Sequence, residues 1–284
     1  MVATSTMIAM AVNMILGLVI PATLYIVMKK HFGHNRKAFF IGCGIMLLFA
    51  FALESLVHQL VLGGPLGMSI QSNIWLYGLY GASMAAIFEE TGRLIAFKFL
   101  LKKHRENDSS ALFYGAGHGG FEAYYILFMS GINNLTFATM INAGNASALT
   151  AGLEGTALVQ IESAIEQMLN ASWTLFLLSP IERIAAVILQ VSLSVLVWFG
   201  VKTGNYKLYG MALLLHFLMD FVAVIVNNLL SGLGMAGTII VEIIIWAAAI
   251  LSAFCAKKVW KKYHDKCLYS KMEQRGCAMA AHPC

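Results

Sequence analysis

Ionisable residues lie inside stretches of this chain that are otherwise long and apolar enough to sit in lipid, and few folds admit that combination. Spans of about 20 apolar residues cross a bilayer core, and the sequence offers seven, at 7–28, 38–62, 74–101, 111–131, 173–201, 208–229 and 239–256. Charged residues make up 12% of the chain, against about 25% in an average soluble domain. The expectation is an integral membrane protein with an all-α fold, a polytopic transmembrane helix bundle of about seven spans. A charged side chain at mid-bilayer costs ~2.5–3.5 kcal/mol on insertion scales, so Glu89, Glu90, Arg93, His118, Glu122, His216 and Asp220 must offset one another inside the bundle.

Lysine and arginine set the orientation. They follow spans one, three, five and seven, at Lys29, Lys30, Arg36 and Lys37, at Lys102, Lys103 and Arg105, at Lys202 and Lys207, and from Lys257 to Arg275. The alternate connections, 63–73, 132–172 and 231–238, contain none. The N-terminus is therefore expected outside and the C-terminus in the cytoplasm, with the first span a retained helix rather than a cleaved signal. The net charge of +5 reflects this orientation and makes no case for nucleic acid. One catalytic bundle over 1–256 and a basic cytoplasmic tail over 257–284 are expected. Cysteines and histidines in the tail (His264, Cys267, Cys277, His282, Cys284) match no standard zinc spacing. The longest connection predicts an outer amphipathic helix over about 151–169, with Glu154, Glu162 and Glu166 on its polar face.

Depth decides whether the buried charges can meet. At ~1.5 Å of rise per residue, Glu89 lies about 18 Å from the basic end of its span, His118 about 11 Å, Glu122 about 17 Å, His216 about 12 Å and Asp220 about 18 Å. Glu89 and Arg93, His118 and Glu122, and His216 and Asp220 are each spaced i, i+4, on one helix face. Each histidine thus has a carboxylate one turn away to orient its ring. Glu89 and Glu90 point about 100° apart and are assigned different tasks, Glu89 as general base and Glu90 as auxiliary acid. Gly115, Gly117, Gly119 and Gly120 surround His118. They serve either close helix packing or, the preferred reading, room for water or a substrate backbone. Glu182-Arg183 reads as a structural ion pair, with an outer wall of the site as the alternative, and Glu54 with His58 as an interfacial pair.

The ordered set Glu89-Glu90-x-Gly-Arg93, Gly-His118-Gly-Gly-x-Glu122 and His216-x-x-x-Asp220 resembles the YhfC family of intramembrane peptidases. That family is distantly similar to the CAAX-processing and bacteriocin-processing (CPBP) membrane proteases. The resemblance implies an intramembrane endopeptidase of a bacterial plasma membrane, acting on peptide or membrane-protein substrates within the lipid bilayer. It implies that Glu89 or Glu90 activates a water with help from His118, while His216 and Asp220 stabilise the oxyanion or help hold a metal. An ionised Asp is a poor oxyanion donor unless it is protonated or orients His216. Zinc held by His118, Glu122, His216 and Asp220 therefore stands as the alternative. The metal-free version is preferred because Glu89-Glu90 and the following Arg93 resemble proteases that need no ion, and a cation one turn from Glu89 also repels a divalent ion. Water is expected from the cytoplasmic side. From another functional class, the same residues would suit a proton-coupled transporter or channel.

Overall fold

The computed structural model describes residues 1–280, with side chains described through His264 except Thr156. His282, Cys284 and the side chains of Cys267 and Cys277 lie outside the described residues. The described chain is helical and has no strand. The principal helices are α1 (Thr4–Phe32), α2 (Arg36–Leu62), α3 (Ile74–Ile95), α4 (Ser109–Tyr124), α5 (Ser130–Asn142), α6 (Gly155–Asn170), α7 (Trp173–Thr203), α8 (Lys207–Leu230) and α9 (Met235–Ala280). Helix ends follow local chemistry. Asn35, Asn73 and Ser172 accept backbone N–H bonds at the starts of α2, α3 and α7. Gly33 and Gly204, at φ of 77° and 72°, end α1 and α7 where a side chain would be strained.

Five helical stretches are long and apolar enough by themselves to cross a membrane: Thr4–Phe32, Arg36–Leu62, Trp173–Thr203, Lys207–Leu233 and Met235–His264. α3 and α4 are not among them, and they are the helices that carry Glu89, Glu90, Arg93, His118 and Glu122. The bundle is built around α7. In its most apolar stretch 72% of residues are buried, against 17% to 28% in the other four. Single π-helical stretches interrupt α2 at Leu47–Glu54, extend α3 at Ala96–Leu100 and join α4 to α5 at Tyr125–Met129.

The glycines around His118 answer to packing on three sides. A Cβ on Gly117 would run into the Phe39 carbonyl of α2, and one on Gly42 of α2 would meet the Tyr114 carbonyl of α4. Gly115 and Gly119 face α7, where an added Cβ would come 2.6 Å from Val191 Cα and 2.9 Å from Gln190 Cβ. Gly120 meets Pro21 of α1 at 3.2 Å. This corrects the expectation that they leave room beside His118. They let three neighbouring helices close around it, and its ring is fully buried.

At the end of the bundle bearing the basic loops, one carboxylate ties three elements together. Asp108 accepts from Trp198 Nε1 at 2.8 Å, from Lys202 Nζ, and pairs with His264 Nδ1 at 2.8 Å. Burial alone would raise the Asp108 carboxyl, but the hydrogen bonds from Lys202, Trp198 and His264 outweigh it and hold it below its ordinary range. α9 runs on past Ala256, where the apolar stretch ends, and its Trp260 meets Phe199 edge-on at 5.7 Å. Gly117→Ala should lower the melting temperature in detergent micelles, because overpacking costs about 1–3 kcal/mol. Gly210→Ala, with nothing within 4 Å of the new Cβ, should be neutral or slightly stabilising. Equal melting of the two variants would contradict this account of the α2–α4 contact.

Candidate active site

α3 presents two adjacent glutamates to different neighbours, as the 100° turn per residue requires. Glu89 faces α4 and α7: its Oε2 lies 3.0 Å from His118 Nε2 and accepts from Gln190 Nε2 at 2.8 Å. Glu90 faces α8: its Oε1 accepts from Arg93 NH1 and lies 2.8 Å from His216 Nδ1. Arg93 reaches on to the Gln190 side-chain carbonyl. His216 Nε2 then sits 3.9 Å from Glu89 Oε2 and 3.5 Å from Asp220 Oδ2. Glu90, Arg93 and His118 are fully buried, and Glu89 and His216 nearly so.

All seven residues singled out by sequence therefore converge, but two of the three expected i, i+4 pairings do not form. Arg93 pairs with Glu90, three residues back, instead of with Glu89. His118 takes its carboxylate from Glu89 across the bundle and not from Glu122 on its own helix. Glu122 is committed elsewhere, to Arg183 NH1 at 2.8 Å and to Gln190 Nε2 at 2.9 Å. His216 and Asp220 do face each other, loosely. Arg183 also binds Glu182, so this pair belongs to the wall of the site and is more than a remote structural bridge.

Gln190 is the residue that sequence reasoning missed. Its amide donates to both Glu89 and Glu122 while its carbonyl accepts from Arg93, which joins the two halves of the network. The available signal was its place on α7 seven residues after Arg183, two turns along the same face, as a lone amide in an apolar run. Glu54, expected at an interface, is buried instead. It pairs with His58, 3.2 Å away, and His58 in turn meets Tyr80 OH at 3.0 Å.

Between these groups lies a cavity of about 150 Å³, lined by Glu89, Glu122, Arg183, Gln190, His216 and Asp220. That is room for about five waters at ~30 Å³ each. Carboxylates outnumber guanidiniums around it, with Glu89, Glu90, Glu122, Glu182 and Asp220 against Arg93 and Arg183. In a low-dielectric interior such an excess demands protons on the histidines or acids, or a bound cation. Because Glu90 already accepts from Arg93, His216 Nδ1 is best satisfied by carrying the proton toward it. The Nε2 electron pair of His216 then points at Glu89 and Asp220, an arrangement that a cation between them stabilises.

The donor chemistry fits a divalent transition metal such as zinc. His216 Nε2, Glu89 and Asp220 are the nearest donors, and Glu90 behind His216 is the usual outer partner of a metal-bound imidazole. Glu122, expected from sequence as a ligand, lines the cavity with one oxygen bonded by Arg183 and the other by Gln190. His118 has no such outer partner, since its Nδ1 is buried without a hydrogen bond. As the side chains stand, among the described residues, no three His, Cys, Asp or Glu side chains form a ready-made cation cluster.

Fold and site together define an integral membrane protein, a helical bundle with an acid–imidazole site buried among its helices. The chain belongs to the YhfC intramembrane metalloprotease family, whose sequence pattern matches residues 16–245. It is 34% identical over 267 residues to the uncharacterized membrane protein YhfC of Bacillus subtilis (strain 168), covering 92% of this chain and all of that protein. No solved structure matches it significantly. Replacing Gln190 with Leu should leave Arg93, Glu89 and Glu122 each short of a partner. The expected loss is about 1–3 kcal/mol in detergent unfolding, and unchanged stability would show that the amide does not bridge them.

Proposed function

We propose that this chain is an intramembrane peptidase that hydrolyses peptide bonds in peptide or membrane-protein substrates, with Glu89 as the base. One observation carries the reading. Glu89 Oε2 is held between His118 Nε2 and Gln190 Nε2 at the edge of a small polar cavity that His216 and Asp220 also line. The family's description as a metalloprotease supports it. We also read the basic end as cytoplasmic, with seven crossings, in a bacterial plasma membrane and with no role for nucleic acid.

In this mechanism a water in the cavity attacks the scissile carbonyl carbon while Glu89 takes its proton. His118, donating from Nε2 to Glu89 Oε2, orients the carboxylate and leaves Oε1 free for the water. Gln190 restrains the same carboxylate from the other side. Glu90, neutralised by Arg93, accepts from His216 Nδ1 and fixes the ring; with a second proton on Nε2, His216 is an imidazolium that donates to the developing oxyanion. As the C–N bond breaks, Glu89 returns the proton to the leaving amine. A divalent ion held by His216, Glu89 and Asp220, with His118 beside them, would supply Lewis-acid polarisation and a more acidic water. The repulsion argument against such an ion weakens here, because Arg93 spends its charge on Glu90 rather than beside Glu89. A channel would need a path open at both ends, and here Phe97, Tyr114 and Trp198 fill the bundle between the site and its basic end.

Glu89→Gln and His118→Ala, purified in detergent, should cleave a peptide library at least ~100-fold more slowly than wild type, within the usual range for losing a general base. Cleavage equal to wild type would end the peptidase reading. Zinc should copurify with wild type and be lost from His216→Ala, as metal analysis can show directly. Full activity in a thoroughly chelated, zinc-free sample would return the reaction to Glu89 alone.

A further inference from the structure

We propose that the site is served from the end of the bundle whose loops lack lysine and arginine, and that its substrate is an extended, largely apolar polypeptide segment presented at that end. This rests on the peptidase reading for the identity of the occupant, and on packing alone for the route.

The basic end is shut. One turn beyond Arg93 on α3 comes Phe97, one turn before His118 on α4 comes Tyr114, and two turns beyond Gln190 on α7 comes Trp198. Their exposures are 0%, 0% and 1%. Phe97 meets Tyr114 at 4.6 Å and Trp198 at 5.2 Å between ring centroids, both edge-on. The Asp108 bonds to Trp198, Lys202 and His264 close the bundle below them.

In the opposite direction the helices separate. A cavity of about 270 Å³ begins one turn past the site, at Ser179 on α7 and Ile126 on the π-helical stretch after α4. The Arg183–Glu122 pair, at 2.8 Å, lies one turn from each of these residues, on the side of the site. It shares Asn134, Leu175 and Phe176 with a larger cavity of about 1060 Å³, which α6 lines through Ile161, Gln167 and Met168. The exposure of the network follows the same direction. Asp220 and Glu182 side chains are 35% and 33% exposed, while Arg93 and Glu90 are at 0%. A second polar chain, Tyr80 to His58 to Glu54, descends from the same end, and Glu54 lies within electrostatic reach of Glu89, His216 and Asp220.

The lining of the large cavity names the class of ligand. Asn133, Asn134 and Asn170 stand beside Phe137, Leu175 and Phe176. Side-chain amides can pair with backbone N–H and C=O groups that an extended segment would otherwise leave unsatisfied near lipid, while the apolar neighbours take its side chains. The route is opposite to the cytoplasmic entry expected from sequence. It selects polypeptide segments exposed on the far side of the membrane from the basic loops.

Single-cysteine labelling tests this without any need for hydrolysis. In a chain with its native cysteines replaced by serine, Ala223→Cys reports on the site cavity, Ser179→Cys on the next cavity, and Ala151→Cys and Lys103→Cys on the two loop ends. A charged, membrane-impermeant maleimide is applied to intact cells and to inverted vesicles. Ala223→Cys and Ser179→Cys should label from the same side as Ala151→Cys, with labelling lost from the side that modifies Lys103→Cys. Labelling from the Lys103→Cys side, from both sides or from neither overturns the proposal. If Ala223→Cys does not fold, Ala186→Cys lines the same cavity. Failure here leaves the peptidase reading standing, and loss of that reading would not move the labelling pattern.

Discussion

A guanidinium buried without any exposure is the constraint around which this bundle is arranged. Arg93 cannot be left unpaired in a water-poor interior, where an uncompensated charge costs several kcal/mol. Glu90 and Gln190 pair with its two terminal nitrogens, from its own helix and from α7. Those two residues then determine the rest. Glu90 holds His216 on α8, and Gln190 restrains Glu89 and Glu122, so that α3, α4, α7 and α8 are locked in rotation about their axes by one connected network.

The network needs its helices close, and the glycines of α4 allow this. Without a Cβ at Gly117, Gly115 and Gly119, the backbones of α2 and α7 approach α4 directly, and His118 is carried into the centre with no space around its ring. Close packing near the basic end and loose packing at the other give the molecule its polarity. The same helices form an aromatic seal on one side of the site and separate into a chain of cavities on the other.

This polarity bears on the chemistry. Under the proposed peptidase reading, hydrolysis needs a small, controlled supply of water, and the cavity of about 150 Å³ beside Glu89 would hold it without exposing Glu90 or Arg93. An interior that holds more carboxylates than guanidiniums is also one that binds protons or cations strongly. In the proposed mechanism, the acid excess that makes the site costly to fold is also what would activate water.

The sequence by itself determined the membrane class, the helical fold and the family. Each depends on composition or order, quantities that run along the chain. Which residue meets which was decided only by the tertiary structure. Spacing offered Glu89 to Arg93 and Glu122 to His118, because i, i+4 neighbours share a face of an isolated helix. In the bundle the rotation of each helix against its neighbours gave Arg93 to Glu90, His118 to Glu89 and Glu122 to Arg183. Gln190 carries no charge and stands in no motif, so its central place became visible only once α7 was packed between the helices it joins. Sequence pointed to entry from the cytoplasmic side, and it could not see the packing of Phe97, Tyr114 and Trp198 from three separate helices at the basic end.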